Sequence, residues 1–416
     1  MRTGARRVRG GWSGAMCCAT ALFLLGSAAA PAQADSVRQR QWHLDEMYAE
    51  DMWRTSTGSG VTVAVIDSGV DASLPDLRGQ VLSGKDFSGN AGDAQADEDG
   101  HGTAMAALIA ATGKGFDGQG AQGLAPGAKI LPLRVATGVG GGTAADGERS
   151  IAAAIRYAAD TDAKVLNISF ADPQESAGES QALDYALSKG KLIFASVGNS
   201  GNTDNTVLYP AAHKGVVGVG AIDRTARVTA ESQRGAQVVL AAPGEDMYTT
   251  TRRGTGVRRG HGTSDASAIA SASAALLWSA HPDWTANQVL RVLINTAGGP
   301  KSGEKRSDDL GYGVVRPRVA LKNPGNPGPA DISPLTGAQS SRPQEEPAPQ
   351  PKEKEGQRPT QRDQDPSAAT HHDKGGSAMK WVVVGFGILV LVGVVTVPFL
   401  VARNRRRLRG TLRSSD

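Results

Sequence analysis

The stretch GVTVAVIDSGV, Gly60–Val70, decides the fold class. Val61 to Ile66, after Gly60 and before Asp67, is an unbroken apolar and β-branched run with no polar alternation. That is the pattern of a parallel strand buried on both faces. Similar runs recur at Lys129–Val135, Lys164–Phe170, Leu192–Val197, Val216–Ala221 and Val238–Ala242. Helical patterns lie between several of them. SIAAAIRYAAD, beginning at Ser150, sets Ile151, Ile155 and Ala158/Ala159 on one stripe, and ESQALDYALSKG stops at Lys189-Gly190. Strands alternating with helices predict an α/β protein: three αβα layers around a mainly parallel central sheet. In such sheets functional residues gather beyond the carboxyl ends of the strands.

Several polar residues fall at those ends. Asp67 follows VTVAVI directly, Ser169 closes KVLNIS, and Asn199 follows LIFASVG. Singly, each also reads as a turn or cap residue. His101 lies between two glycines and opens the apolar run of DGHGTAMAALIAA, where a structural histidine is the plain alternative. HGTSDASAIAS, His261–Ser271, turns from Gly-Thr-Ser into small residues with no helix breaker. Ser264 there reads as an ordinary helix cap, or as a hydroxyl held where a helix N-terminus favours negative charge.

The ends of the chain differ from its body. Of the 416 residues, 35–321 carry 27 Lys/Arg against 32 Asp/Glu, a net of −5, although the whole chain is +4. An acidic body argues against nucleic acid as a partner. At the N-terminus, Arg2, Arg6, Arg7 and Arg9 precede an apolar segment, Met16–Ala30, and a small-x-small site at Ala32-Gln33-Ala34. This predicts a secretory signal over 1–34. Cys17 and Cys18, the two cysteines of the chain, lie inside it, so a mature chain would carry no disulfide. WVVVGFGILVLVGVVTVPFLV, Trp381–Val401, is uncharged and long enough for the hydrocarbon core of a bilayer. Five arginines between Arg403 and Arg409 follow, which places the tail 402–416 in the cytoplasm and the body (35–321) outside, a single-pass cell-membrane protein. Residues 322–380 are rich in Pro, Gln, Glu, Ser and Gly and read as a disordered tether.

VAVIDSGV, GHGT, SVGNSG and GTSDAS, in that order, resemble the motifs of the subtilisin-like serine proteases. The resemblance spans about 280 residues, nearly the whole body. It implies that Asp67 is the acid orienting His101, that His101 is the general base and then the general acid, and that Ser264 is the nucleophile. Asn199 would offer its amide to the oxyanion beside the Ser264 N–H, and Ser169, Phe170 and Ala171 would form the edge that pairs with substrate. A serine hydroxyl needs an adjacent base, the imidazolium needs a fixed anion, and the oxyanion needs preorganised donors. Three positions depart from the common pattern: Ala171 where glycine is frequent, Ala268 for a proline, and Val197 for an alanine.

Within that family the layout resembles mycosins, the subtilases of actinobacterial type VII secretion, as does the segment QWHLDEMYAEDMW, Gln41–Trp53. The resemblance implies a protein or peptide substrate and a type VII secretion membrane complex as partner. A general tethered protease and a structural subunit of a secretion complex are the competing readings. No cofactor or metal is called for. Asp97-Glu98-Asp99-Gly100 is too short a fragment for a calcium loop and reads as a solvated acidic loop. Arg252, Arg253, Arg258 and Arg259 likewise read as a solvated loop. Asp35–Thr57 is too short to form a core of its own. It should pack on the body through Trp42, Leu44, Met47 and Trp53.

Overall fold

The computed structural model of the chain describes residues 36–136, 144–250 and 256–337. Seven strands form the central sheet: β1 Thr62–Asp67, β2 Lys85–Asp86, β3 Lys129–Arg134, β4 Val165–Ile168, β5 Leu192–Ser196, β6 Val217–Ile222 and β7 Val238–Pro243. Their order is β2-β3-β1-β4-β5-β6-β7, and every pair is parallel. A separate antiparallel pair joins β8 Met247–Thr250 to β9 Val257–Gly260. The chain leaves β1 for β3 on one side and returns to β4 on the other, so β1 sits at the topological switch point where α/β sheets place their sites.

Ten helices complete the described fold: α1 Val37–Arg40, α2 Trp42–Glu46, α3 Ala49–Trp53, α4 His101–Ala110, α5 Gly115–Gly118, α6 Ala144–Ala159, α7 Ala177–Ser188, α8 Thr263–Ala280, α9 Ala286–Asn295 and α10 Pro317–Lys322. β1 shows why the layers are three. Val63 and Val65 enter one core with α4, α8 and α9, while Ala64 and Ile66 enter a second core with α6 and α7. A strand apolar on both faces can be buried only between two helical layers. Burying each such aliphatic side chain is worth about 1.5–3 kcal/mol, so its register is tightly held.

The segment before β1 packs on the body. Trp42 and Leu44 are buried and Met47 and Trp53 pack against the same core. The indoles donate to Glu245 O (2.9 Å) and Leu124 O (2.8 Å). Ser56 Oγ donates to Leu276 O of α8 at 2.7 Å. These long-range bonds hold a segment too short to fold alone.

The far end of the body corrects one expectation. Asn323–Gly337 does not begin a free tether but lies along α9. Arg291 donates to Pro327 O (2.6 Å) and Pro329 O (3.0 Å), Gln288 to Gly328 O (3.0 Å) and Thr285 to Ala330 O (2.8 Å). This Pro/Gly-rich segment offers few apolar side chains, Leu335 being one that packs on the core, but its carbonyls still accept hydrogen bonds. The signal segment, the remainder of the tether and Trp381–Val401 lie outside the described residues. Among the described residues no helix is long and apolar enough to cross a membrane.

Candidate active site

Asp67 is the last residue of β1 and is 2% exposed. His101 is the first residue of α4. The two meet because Gly102 brings α4 against the turn after β1: a Cβ on Gly102 would fall 2.1 Å from Gly69 O and 3.0 Å from Asp67 Cβ. Only glycine allows that approach. His101 Nδ1 lies 2.8 Å from Asp67 Oδ1 and 3.0 Å from Oδ2. Donation from Nδ1–H to the carboxylate leaves Nε2 as the proton acceptor. The Asp67 carboxylate pushes the His101 pKa up to about 9 against the opposing effect of burial, and their hydrogen bond adds to the rise.

That direction predicts a pH profile. A base acts only when neutral, so kcat/KM should rise with pH and reach half its plateau well above 6.5, the ordinary histidine value, toward 9. Initial rates on a small peptide substrate across pH 5–11 would show it; a midpoint at or below about 6.5 would contradict the geometry.

Beneath the pair lies a group the sequence hid. Asp97, read as part of a solvated loop, is 6% exposed. It accepts from Ser68 Oγ (2.9 Å), Gly100 N (2.8 Å) and Thr103 N (2.8 Å), and also bonds Thr103 Oγ1 at 2.5 Å. Ser68 Oγ in turn accepts from Gly102 N at 3.0 Å. The carboxylate therefore fixes the turn that carries His101.

The opposite wall is the N-terminus of α8. Its cap is Gly262, at φ 121°, and not Ser264, which is the second residue inside the helix. The reading of Ser264 as an ordinary helix cap is thus corrected. Ser264 Oγ donates instead to Ser169 O, just past β4, at 3.1 Å. Among the hydrogen bonds of the described residues none joins Ser264 to His101. Asn199 supplies the cap from outside: its Oδ1 accepts from Thr263 N (2.9 Å) and Thr263 Oγ1 (3.0 Å). With its oxygen so engaged, the two amide N–H donors remain for a ligand. Thr263 also receives Gly198 N at 3.1 Å, locking the loop that carries Asn199.

α8 is tied to the sheet by a buried network. Ser267 and Ser271 both donate to Asn167 Oδ1 at 3.0 Å, and Asn167 Nδ2 donates to Ser169 Oγ at 2.8 Å. The network holds Ser264 and Ser169 in register. Phe170 and Ala171 follow Ser169 beyond the β4 ladder, half-buried, with Phe170 packed on the α6–α7 core. Asn167, Thr263 and Ser68 escaped the sequence reading, since each looks like an ordinary strand, turn or cap residue.

One of the four arginines is also reassigned. Arg258 pairs with buried Asp265 at 3.2 Å, whereas Arg259 stays solvent-exposed and pairs with Asp246 at the surface. Arg252 and Arg253 lie outside the described residues. Among the described residues no cluster of three or more His, Cys, Asp or Glu side chains could hold a metal ion.

The arrangement is a histidine hydrogen-bonded to a buried acid, across from a serine at a helix N-terminus with an amide side chain beside it. Comparison with known proteins agrees with that chemistry. The profile of the peptidase S8 subtilase family matches residues 58–314. Thermitase of Thermoactinomyces vulgaris is 36% identical over 211 residues, covering 51% of this chain and 72% of thermitase. The crystal structure of MycP1 from Mycobacterium smegmatis matches with a TM-score of 0.63 at 28% identity, over 72% of this chain and 89% of that one. A structure of the serine protease MycP1, described as an essential component of the type VII (ESX-1) secretion system, matches with a TM-score of 0.62 at 31% identity, over 71% and 91%. With the family profile covering more than half of its length, this chain belongs to the subtilase family and is a subtilisin-like serine endopeptidase with mycosins among its structural neighbours.

Proposed function

We propose that this chain is a membrane-anchored, extracytoplasmic endopeptidase of the mycosin type. It cleaves protein or peptide substrates through Asp67, His101 and Ser264, and works beside a type VII secretion membrane complex. The observation that carries the catalytic part is the 2.8 Å contact of His101 with Asp67 at the carboxyl end of β1. The anchoring part is supported by the uncharged run Trp381–Val401 and the arginines after it.

In this reading, substrate lies along Ser169–Ala171. The main-chain N–H of the substrate takes the carbonyl of Ser169 and frees the Ser264 hydroxyl to turn toward His101. Ser264 Oγ attacks the scissile carbonyl while its proton passes to His101 Nε2, and Asp67 holds the imidazolium that forms. The Asn199 amide and the Ser264 N–H receive the oxyanion. The C–N bond breaks as His101 returns the proton to the leaving amine. A water molecule, deprotonated by His101, then attacks the acyl carbon, and His101 returns that proton to Ser264 Oγ as the ester C–O bond breaks. Each half-reaction begins and ends with a neutral imidazole.

In this reading the segment before Trp381 serves only to tether the body, and the contacts with the complex lie on the body itself. Membrane pull-downs of three forms test this: wild type, Ser264→Ala, and tether plus membrane helix alone. The first two should recover the same secretion-complex partners and the third should not. Equal recovery by the third form would show that the body is not the docking element.

A further inference from the structure

Asp265 directly follows Ser264 in the first turn of α8 and is 1% exposed. Its Oδ1 accepts from Arg258 Nη1 at 3.2 Å, while Oδ2 is buried with no hydrogen-bond partner. Arg258 arrives from β9, which precedes the nucleophile turn. Gly260 makes room for the pair: a Cβ there would lie 2.2 Å from Arg258 Nη1 and 2.7 Å from Asp265 Oδ1. Any larger residue at position 260 would push the guanidinium off the carboxylate. A buried carboxylate that keeps one oxygen unbonded is costly, and nothing in helix packing requires an acid here.

The location gives it a consequence. The first turn of α8 gathers the N–H groups and dipole end that favour an oxyanion at Ser264. An uncompensated Asp265 would occupy that favourable field and repel the developing oxyanion. It would also favour the charged form of His101, which cannot act as a base. We propose that Arg258 and Asp265 form a positioning pair, in which Arg258 cancels the Asp265 carboxylate and so sets the field felt by Ser264 and His101. This rests on the reading of Ser264 and His101 given above.

Arg258 from β9, His101 from α4 and His261 from the turn before α8 face Asp265, and Asp67 from β1, Asp265 and Arg258 face His101. Burial pushes the Asp265 carboxyl above the usual carboxylate range, and Arg258 pulls it back. At His101, Asp265 raises the pKa and Arg258 lowers it. The two members of the pair thus act on the base with opposite sign.

The test compares full-length wild type with Arg258→Met, Asp265→Asn, the double variant and Arg258→Lys. Two readouts are taken: kcat/KM against pH, and the His101 imidazole titration by histidine-selective NMR, which needs no turnover. Arg258→Met should move the acid limb and the His101 titration to higher pH. Each unit of displacement lowers kcat/KM below the limb by about tenfold. Asp265→Asn should move both to lower pH. The double variant and Arg258→Lys should lie near wild type. Shifts of the same sign in the two single variants, no shift in either, or losses that simply add in the double variant would overturn the proposal. If Arg258→Met does not fold, Asp265→Asn decides alone by the direction of its shift. Unmoved profiles alongside an inactive His101→Ala enzyme would sink this pair and leave the triad standing; an active His101→Ala enzyme would sink the triad itself.

Discussion

His101→Ala should lower kcat by about 10⁶-fold, the size known for removing the same group from subtilisin. The reason lies in the geometry: with Nε2 gone, no other base in the described site could take the Ser264 proton. Asp67 points into Nδ1 rather than toward the serine. Ser264→Ala should cost about as much, and the double variant little more, since members of a triad fail as a unit. Both proteins should keep their fold. His101 is partly exposed, and the turn that carries it is held by Asp97 and Gly102 rather than by the imidazole. Unchanged thermal unfolding with lost peptide cleavage is the expected combination. Losses that multiply in the double variant would mean that the two residues act independently.

Asp67→Asn should lower kcat by about 10⁴-fold while leaving the structure intact. An asparagine can keep the bond from Ser68 N, 2.8 Å in the native protein, so the turn after β1 should survive. What changes is the tautomer. An amide N–H facing Nδ1 forces the imidazole proton onto Nε2, where it blocks acceptance of the serine proton. The raised pKa of His101 has the Asp67 carboxylate as its largest cause, so the acid limb of the residual activity should fall toward the ordinary histidine value. A variant with a small loss and an unshifted limb would show that Asp67 does not orient the base.

The parts of this site legible in the sequence share a physical reason. Doubly buried strands must be continuous apolar runs, so β1 and its end at Asp67 stand out, as do the ends of β4 and β5. Glycines at 102 and 262 mark where backbone must approach backbone or adopt positive φ. The hidden parts are polar residues whose partners lie far along the chain. Asn167 looks like a blemish in a strand until Ser267 and Ser271 reach it from α8. Arg258 looks like surface charge until Gly260 lets it fold back onto Asp265. Asn323–Gly337 has the composition of a linker, yet Arg291 bonds its carbonyls, acceptors that every residue type carries. Periodicity and composition report side-chain burial; they carry no record of backbone acceptors or of ion pairs closed by topology.

The most direct measurement on the central claim is mapping of a covalent adduct. Full-length protein treated with a serine-directed fluorophosphonate, digested and analysed by mass spectrometry, should carry the phosphonyl group on Ser264. Labelling should fall to background in His101→Ala. An adduct on Ser267 or another serine, or full labelling of Ser264 without His101, would contradict the assignment of nucleophile and base.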